Sequence, residues 1–293
     1  MSSREFTTRQ AAGMRAAAHP QPVQVIAVSG GKGGVGKTCV SVNLATALAA
    51  SGKRVLVLDG DLGLANVDVL LGITPRYTLE HVISGQCTLD EAIVATKQGF
   101  RIIPAASGVA RLAELGTREH LGIVQAFSNL TTEIDVLIVD TAAGIADGVR
   151  QFCQAAQEVL VVLRDEPTSL TDAYALIKVL RRDHGLTRFR ILANMTQHPG
   201  DGETLFRKLE RVTARFLDVV VEYSGEIPED PLVRQSVKEQ RSVLDAYPAS
   251  PAAVAFRRLA KTALSWPAAT RPRGNLEFFV ERLVAAPRAV PAP

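Results

Sequence analysis

A mostly parallel α/β sheet covered by helices on both faces is the fold class that this sequence predicts. Three observations carry it. Short β-branched runs alternate with helical stretches, most of those runs are apolar throughout, and a glycine-rich loop joins the first run to the first helical stretch. Continuous apolar runs fit strands buried on both faces, and strand–helix alternation is what parallel crossovers need. The strands expected are 23–28, 55–59, 100–104, 136–140, 158–163, 189–194 and 219–224. The helices expected are 38–50, 118–129, 146–156, 167–183, 203–216, 231–239 and 251–265. Ligands of such sheets sit beyond the carboxyl ends of the strands, so the chemistry should gather there.

The first junction reads Gly30-Gly31-Lys32-Gly33-Gly34-Val35-Gly36-Lys37-Thr38. From Gly31 to Thr38 the spacing is G-x-x-x-x-G-K-T, in the strand–loop–helix context that this phosphate-loop motif requires. Glycines let successive backbone N–H groups turn toward phosphate oxygens, and a helix N-terminus adds favourable partial charge. Lys37 can reach the β- and γ-phosphates while the Thr38 hydroxyl ligates Mg²⁺. A plain turn before a helix is the alternative, and the surrounding strand and helix outweigh it.

Two strand ends add carboxylates. The second closes Asp59-Gly60-Asp61, and the fourth closes Val136-Leu137-Ile138-Val139-Asp140. Four apolar residues and an aspartate form a Walker B segment, so Asp140 is expected to hold Mg²⁺ through water, and Asp61 to orient the attacking water. A strand-terminal aspartate can also be a simple cap, a reading that the upstream loop weakens.

The composition bounds the alternatives. With 293 residues, 47% hydrophobic and 22% charged, the chain can bury a sizeable core. A net charge of +3 gives no argument for nucleic acid. Cys39, Cys87 and Cys153 show no C-x-x-C spacing, so neither a disulfide framework nor a zinc site is expected. Residues 1–20 contain no continuous apolar stretch of signal-peptide type, and no segment has membrane-spanning length. A reducing cytoplasm is the expected setting.

The doubled lysine, Lys32 with Lys37, resembles the deviant Walker A ATPases, the family that includes MinD and ParA. The resemblance implies a P-loop NTPase of SIMIBI type that binds ATP and Mg²⁺. It also implies that Lys32 crosses to the nucleotide of a second protomer, so that ATP holds a homodimer together. Asp61 matches the family's switch I aspartate, and residues 140–144 match switch II, with Ala142 where MinD commonly has proline. Asn194, whose amide can both donate and accept, stands where the family contacts adenine, and Pro228 and Asp230 stand in its later base-contacting loop.

Further stretches resemble the FleN/FlhG branch of flagellar number regulators. They include Asp61-Leu62-Gly63-Leu64-Ala65-Asn66-Val67-Asp68, Asp165-Glu166-Pro167-Thr168-Ser169 and Leu276-Glu277-Phe278-Phe279-Val280-Glu281-Arg282-Leu283. That branch implies a slow switch ATPase which restrains a FleQ-type AAA+ transcription activator. It further implies cooperation with the SRP-type GTPase FlhF and flagellar switch (C-ring) proteins. Placement would be peripheral and polar, at the inner face of the bacterial cell membrane. A MinD-type division-site regulator and a ParA-type DNA-segregation ATPase are the rivals. The low charge and the apolar C-terminal helix argue against the latter, and no direct nucleic-acid partner is expected.

Three segments are expected: a leader at 1–22, an ATPase domain at 23–266 and a tail at 267–293. In the leader, Gln10-Ala11-Ala12-Gly13-Met14-Arg15 resembles the branch's D-Q-A-x-x-L-R element, which stimulates FlhF, although Arg9 and Met14 depart from it. In the tail, Leu276, Phe279, Val280, Leu283 and Val284 fall within roughly 140° of a helical wheel. Such a helix, flanked by Arg271, Arg273 and Arg288, reads as a membrane-surface anchor. Docking on its own domain is the alternative. Gross burial of the five side chains is worth at most about 8–12 kcal/mol, so two copies on a dimer would hold far better than one.

Overall fold

In the computed structural model the described residues are 23–61, 66–105 and 126–267. Among the described residues eight strands are present: β1 Gln24–Ser29, β2 Val55–Gly60, β3 Val94–Ala95, β4 Arg101–Ile103, β5 Val136–Thr141, β6 Glu158–Leu163, β7 Arg188–Thr196 and β8 Val220–Pro228. They form one sheet in the order β3-β4-β2-β5-β1-β6-β7-β8. Only the β3–β4 pair is antiparallel. The helices are α1 Lys37–Ala50, α2 Val67–Leu71, α3 Leu79–Ile83, α4 Leu89–Ala92 and α5 Asp147–Ala155. They continue with α6 Pro167–His184, α7 Asp201–Phe216, α8 Pro231–Lys238, α9 Val243–Ala246 and α10 Pro251–Leu264.

Both faces of the sheet are covered, which explains the unbroken apolar runs. On β1, Val25 and Ala27 join the core beneath α5, α6 and α7, which contains Phe152, Leu176 and Phe206. The alternate residues Ile26 and Val28 join the core beneath α1 and α10, with Leu44, Leu48 and Phe256. Helix α1 is buried along most of its length, as a helix apolar on all sides must be. Element ends follow local chemistry. Proline occupies the first turn of α6, α8 and α10, where its missing N–H costs nothing. Gly185 ends α6 at φ 69°.

All seven expected strands are present. The two-residue β3 and the short α2, α3, α4 and α9 lie below the length at which periodicity shows in a sequence. Strand β8 runs four residues beyond its expected end, through irregularities in its register with β7. Most of the helix expected at 118–129, the leader 1–22 and the helix at 276–284 lie outside the described residues. Near the end of the described chain, Trp266 stacks on Arg190 at 5.1 Å. Arg190 is itself buried and bonded to Glu158 at 2.8 Å. The last described residues are thereby fixed to the amino-terminal end of β6 and β7.

The strand order reverses around β1, which has β5 on one side and β6 on the other. The crevice at such a switch point is where this architecture holds ligands, and the loop after β1 opens into it. Phe256 is 1% exposed and lies between α10 and the α1 layer. Phe256→Ala should lower unfolding free energy by about 3–5 kcal/mol, read as a reduced urea midpoint at unchanged slope.

Candidate functional site

The loop after β1 takes its shape from glycine. Gly36 has φ 92°, and a Cβ there would lie 2.4 Å from Asn194 Nδ2. A Cβ on Gly31 would lie 2.2 Å from the Asp172 backbone in α6. The loop is therefore pressed between β7 and α6. Asn194 Nδ2 donates to the Val35 carbonyl at 2.8 Å, and Gly144 N donates to the Gly30 carbonyl at 3.1 Å. Gly33 and Gly34 remain exposed at the mouth. Helix α1 starts without a side-chain cap and without an acidic residue in its first turn. Its first N–H groups and positive end are thus free to meet phosphate.

The two loop lysines point different ways. Lys37 is 8% exposed, and its Nζ lies 3.4 Å from the Lys32 carbonyl oxygen. Burial pushes its pKa down, while Asp140 and Asp61 push it up. Lys37 thus sits in the site with both predicted carboxylates near it. Lys32 turns its ammonium outward, to Glu166 Oε2 at 3.2 Å and Thr168 Oγ1 at 3.0 Å.

Asp140 is the next-to-last residue of β5 and is 1% exposed. Ser41, one turn into α1, donates to Asp140 Oδ1 at 2.9 Å, while Oδ2 is buried without a hydrogen-bond partner. Burial raises the carboxyl pKa to about 7, and the Thr38 and Ser41 hydroxyls offset part of that. A buried carboxylate oxygen left unmatched beside a threonine hydroxyl is costly unless a cation shell completes it. This donor set fits hydrated Mg²⁺, which keeps most of its waters and accepts hard oxygen ligands.

Asp59 was legible only as one of two aspartates around Gly60. The structure gives it a distinct task. Its Oδ1 accepts from Asp61 N at 3.1 Å, and its Oδ2 accepts from Asn66 N at 2.9 Å and Val67 N at 3.1 Å. Burial raises its pKa to about 6, against these three bonds. Asp59 thereby ties the backbone of Asp61 to that of Asn66 and Val67, and Asp61 Oδ2 accepts from Asn66 Nδ2 at 3.4 Å. Ser41, Glu166 and Thr168 were likewise not assigned to the site by sequence. Only the helical step from Lys37 to Ser41 offered a signal.

Asn194, Pro228 and Asp230 line one small cavity of about 40 Å³ together with Cys39, Met195 and Phe256. Asn194 gives one amide N–H to the loop at the Val35 carbonyl. Asp230 gives both oxygens to helix starts, accepting from Leu232 N at 2.9 Å and Ala252 N at 3.2 Å. Its contribution to this cavity is to hold α8 and α10 in place. Burial raises the Cys39 thiol to about 11, which keeps it protonated.

The loop, the uncapped helix, the Walker B carboxylate and the second lysine, set at this switch point, define a P-loop nucleotide-binding protein of the deviant Walker A class. A family model described as ParA: NUBPL iron-transfer P-loop NTPase matches residues 21–264. The antiactivator FleN of Pseudomonas aeruginosa is 60% identical over 266 residues, which span 91% of this chain and 95% of FleN. The chain belongs to the MinD/ParA family of P-loop ATPases, in the branch of the flagellar regulators FleN and FlhG. The flagellum site-determining protein YlxH of Helicobacter pylori is 33% identical, over 74% of this chain and 73% of YlxH. Among solved structures, the septum site-determining protein MinD of Pyrococcus horikoshii, complexed with Mg-ADP, superposes with a TM-score of 0.65 at 25% identity. The match covers 85% of this chain and all of that one.

Asp59 holds the backbone N–H of Asp61 and its charge also acts on Asp140. Asp59→Ala should reduce ATP hydrolysis about 10–100-fold, as displaced supporting residues do. Nucleotide affinity should change far less, and mant-ADP titration beside a phosphate-release assay separates the two.

Proposed function

We propose that this protein is a slow ATPase whose ATP-bound homodimer limits the number and placement of flagella. The single observation that carries this reading is the division of labour between the loop lysines. Lys37 is buried, with its Nζ beside the Lys32 carbonyl, whereas the Lys32 ammonium lies on Glu166 and Thr168 at the start of α6; in this reading Lys32 serves a second protomer. In this reading Gly31, Gly33, Gly34, Val35 and Gly36 wrap the phosphates with backbone N–H groups. Thr38 and Asp140 hold Mg²⁺, which when bound offsets charge on the β- and γ-phosphates. Asp61 orients the attacking water, and Asn194 with the Pro228–Asp230 turn borders the base.

Lys32 of each protomer neutralises phosphate charge on the other, so a preorganised cation becomes available only in the dimer. ATP stabilises that dimer because it binds the paired state more tightly than the single one. Hydrolysis then times its lifetime. The outputs are restraint of a FleQ-type AAA+ activator and work with FlhF and C-ring proteins at the membrane surface. Residues 1–22 carry the FlhF-stimulating element, and residues 267–293 carry the surface anchor. The likeness to FleN over nearly the whole chain supports the flagellar output. No helix among the described residues is long and apolar enough to cross a membrane, which fits a peripheral attachment.

Asp61→Ala should bind ATP, elute as a dimer and hydrolyse at least about 100-fold more slowly, while Lys37→Gln should lose nucleotide binding. The ATP-loaded Asp61→Ala dimer should capture FleQ and FlhF and sediment with anionic liposomes, the last only while residues 275–293 are present. Capture of MinC instead of FleQ would replace the flagellar reading with a division-site one. Unchanged ATP affinity in Lys37→Gln would remove the site assignment.

A further inference from the structure

The outward lysine is not free in the single chain. Its ammonium lies 3.2 Å from Glu166 and 3.0 Å from Thr168, at the cap and first turn of α6. Close backbone packing accompanies that contact. Gly31 lies so close to the backbone of Asp172 in α6 that no side chain fits between them. The chain therefore enters the loop along the helix, with Lys32 beside the helix start. The Lys32 carbonyl meanwhile accepts from Lys37, so the backbone of this residue faces the cradle while its side chain faces α6.

The geometry points to Glu166 and Thr168 as positioning residues that hold Lys32 on its own protomer and so set the ATP concentration at which the dimer forms. This inference rests on the dimer reading above. Dimerisation exchanges the carboxylate and hydroxyl around Lys32 for phosphate oxygens of the facing protomer. The exchange is feasible because the hold is weak. Lys32 and Glu166 are 41% and 37% exposed, and ion pairs that wet contribute modestly. Glu166 is also not stranded when Lys32 leaves, since its Oε1 lies 3.2 Å from Arg164 Nη1. A cation that remains in place spares the carboxylate the cost of an unpaired charge. The arrangement is a restraint that ATP can overcome, because each dimer presents two nucleotides to two released lysines.

Two measurements on the full chain test this, with Asp61→Ala as the background so that ATP persists. The first is light scattering across an ATP titration. Glu166→Gln should move the ATP midpoint of dimerisation roughly two- to five-fold lower, the range that one exposed ion pair can supply. Thr168→Val should move it in the same direction by less. The second is the rate at which an amine-reactive reagent labels Lys32 in the nucleotide-free monomer, read by peptide mass spectrometry. That rate should rise in both variants, and a merely structural role for Glu166 would not move it. An unchanged or higher midpoint in Glu166→Gln overturns the inference, as does an unchanged labelling rate. A background protein that stays monomeric at saturating ATP overturns the dimer reading instead, and the labelling rate still reports on the hold itself.

Discussion

The buried aspartate at the end of β5 is the constraint on which the site depends. Asp140 is almost fully removed from water, carries one unmatched oxygen and lies within reach of the fields of Lys37 and Asp59. A carboxylate so placed is tolerable where cations and hydroxyls surround it. Lys37, Thr38 and Ser41, all from the start of α1, provide them. Helix α1 must therefore begin directly over the end of β5. That in turn requires the sharp, glycine-dependent loop between β1 and α1, and Asn194 from β7 keeps the loop from relaxing.

The same economy joins the neighbouring strand to the switch. Asp59 and Asp140 are direct partners in the β2–β5 register, so two buried carboxylates stand side by side at the carboxyl ends of their strands. One accepts from Ser41 and leaves its second oxygen unmatched. The other spends its oxygens on the backbone N–H groups of Asp61, Asn66 and Val67. Repulsion between them helps raise the Asp140 pKa, which makes the pair responsive to added positive charge. Mg²⁺ on one side and Lys37 on the other would relieve it.

Much of this was legible in sequence because the informative features are local and periodic. Apolar runs placed seven strands, and one nine-residue loop marked the candidate site. Asp59 was less legible because its work lies in accepting three N–H bonds, which spacing does not encode. The hold on Lys32 by Glu166 was hidden for a different reason. The two residues are 134 positions apart, and only the packing of Gly31 on α6 brings them together. Asp230 shows the reverse case, where a residue expected at the base gives both oxygens to helix starts. Short elements such as β3 and α9 contain too few residues to show a period.

In the proposed dimer one lysine serves its own nucleotide and the other its partner's. The direct measurement is the solution mass of Lys32→Ala beside the unmodified chain, each with saturating ATP and each with ADP, together with ATP affinity. If Lys32 acts across the interface, the unmodified chain doubles its mass with ATP and not with ADP. Lys32→Ala then binds ATP yet keeps the mass of one chain. A Lys32→Ala protein that doubles its mass with ATP as readily as the unmodified chain would contradict this account.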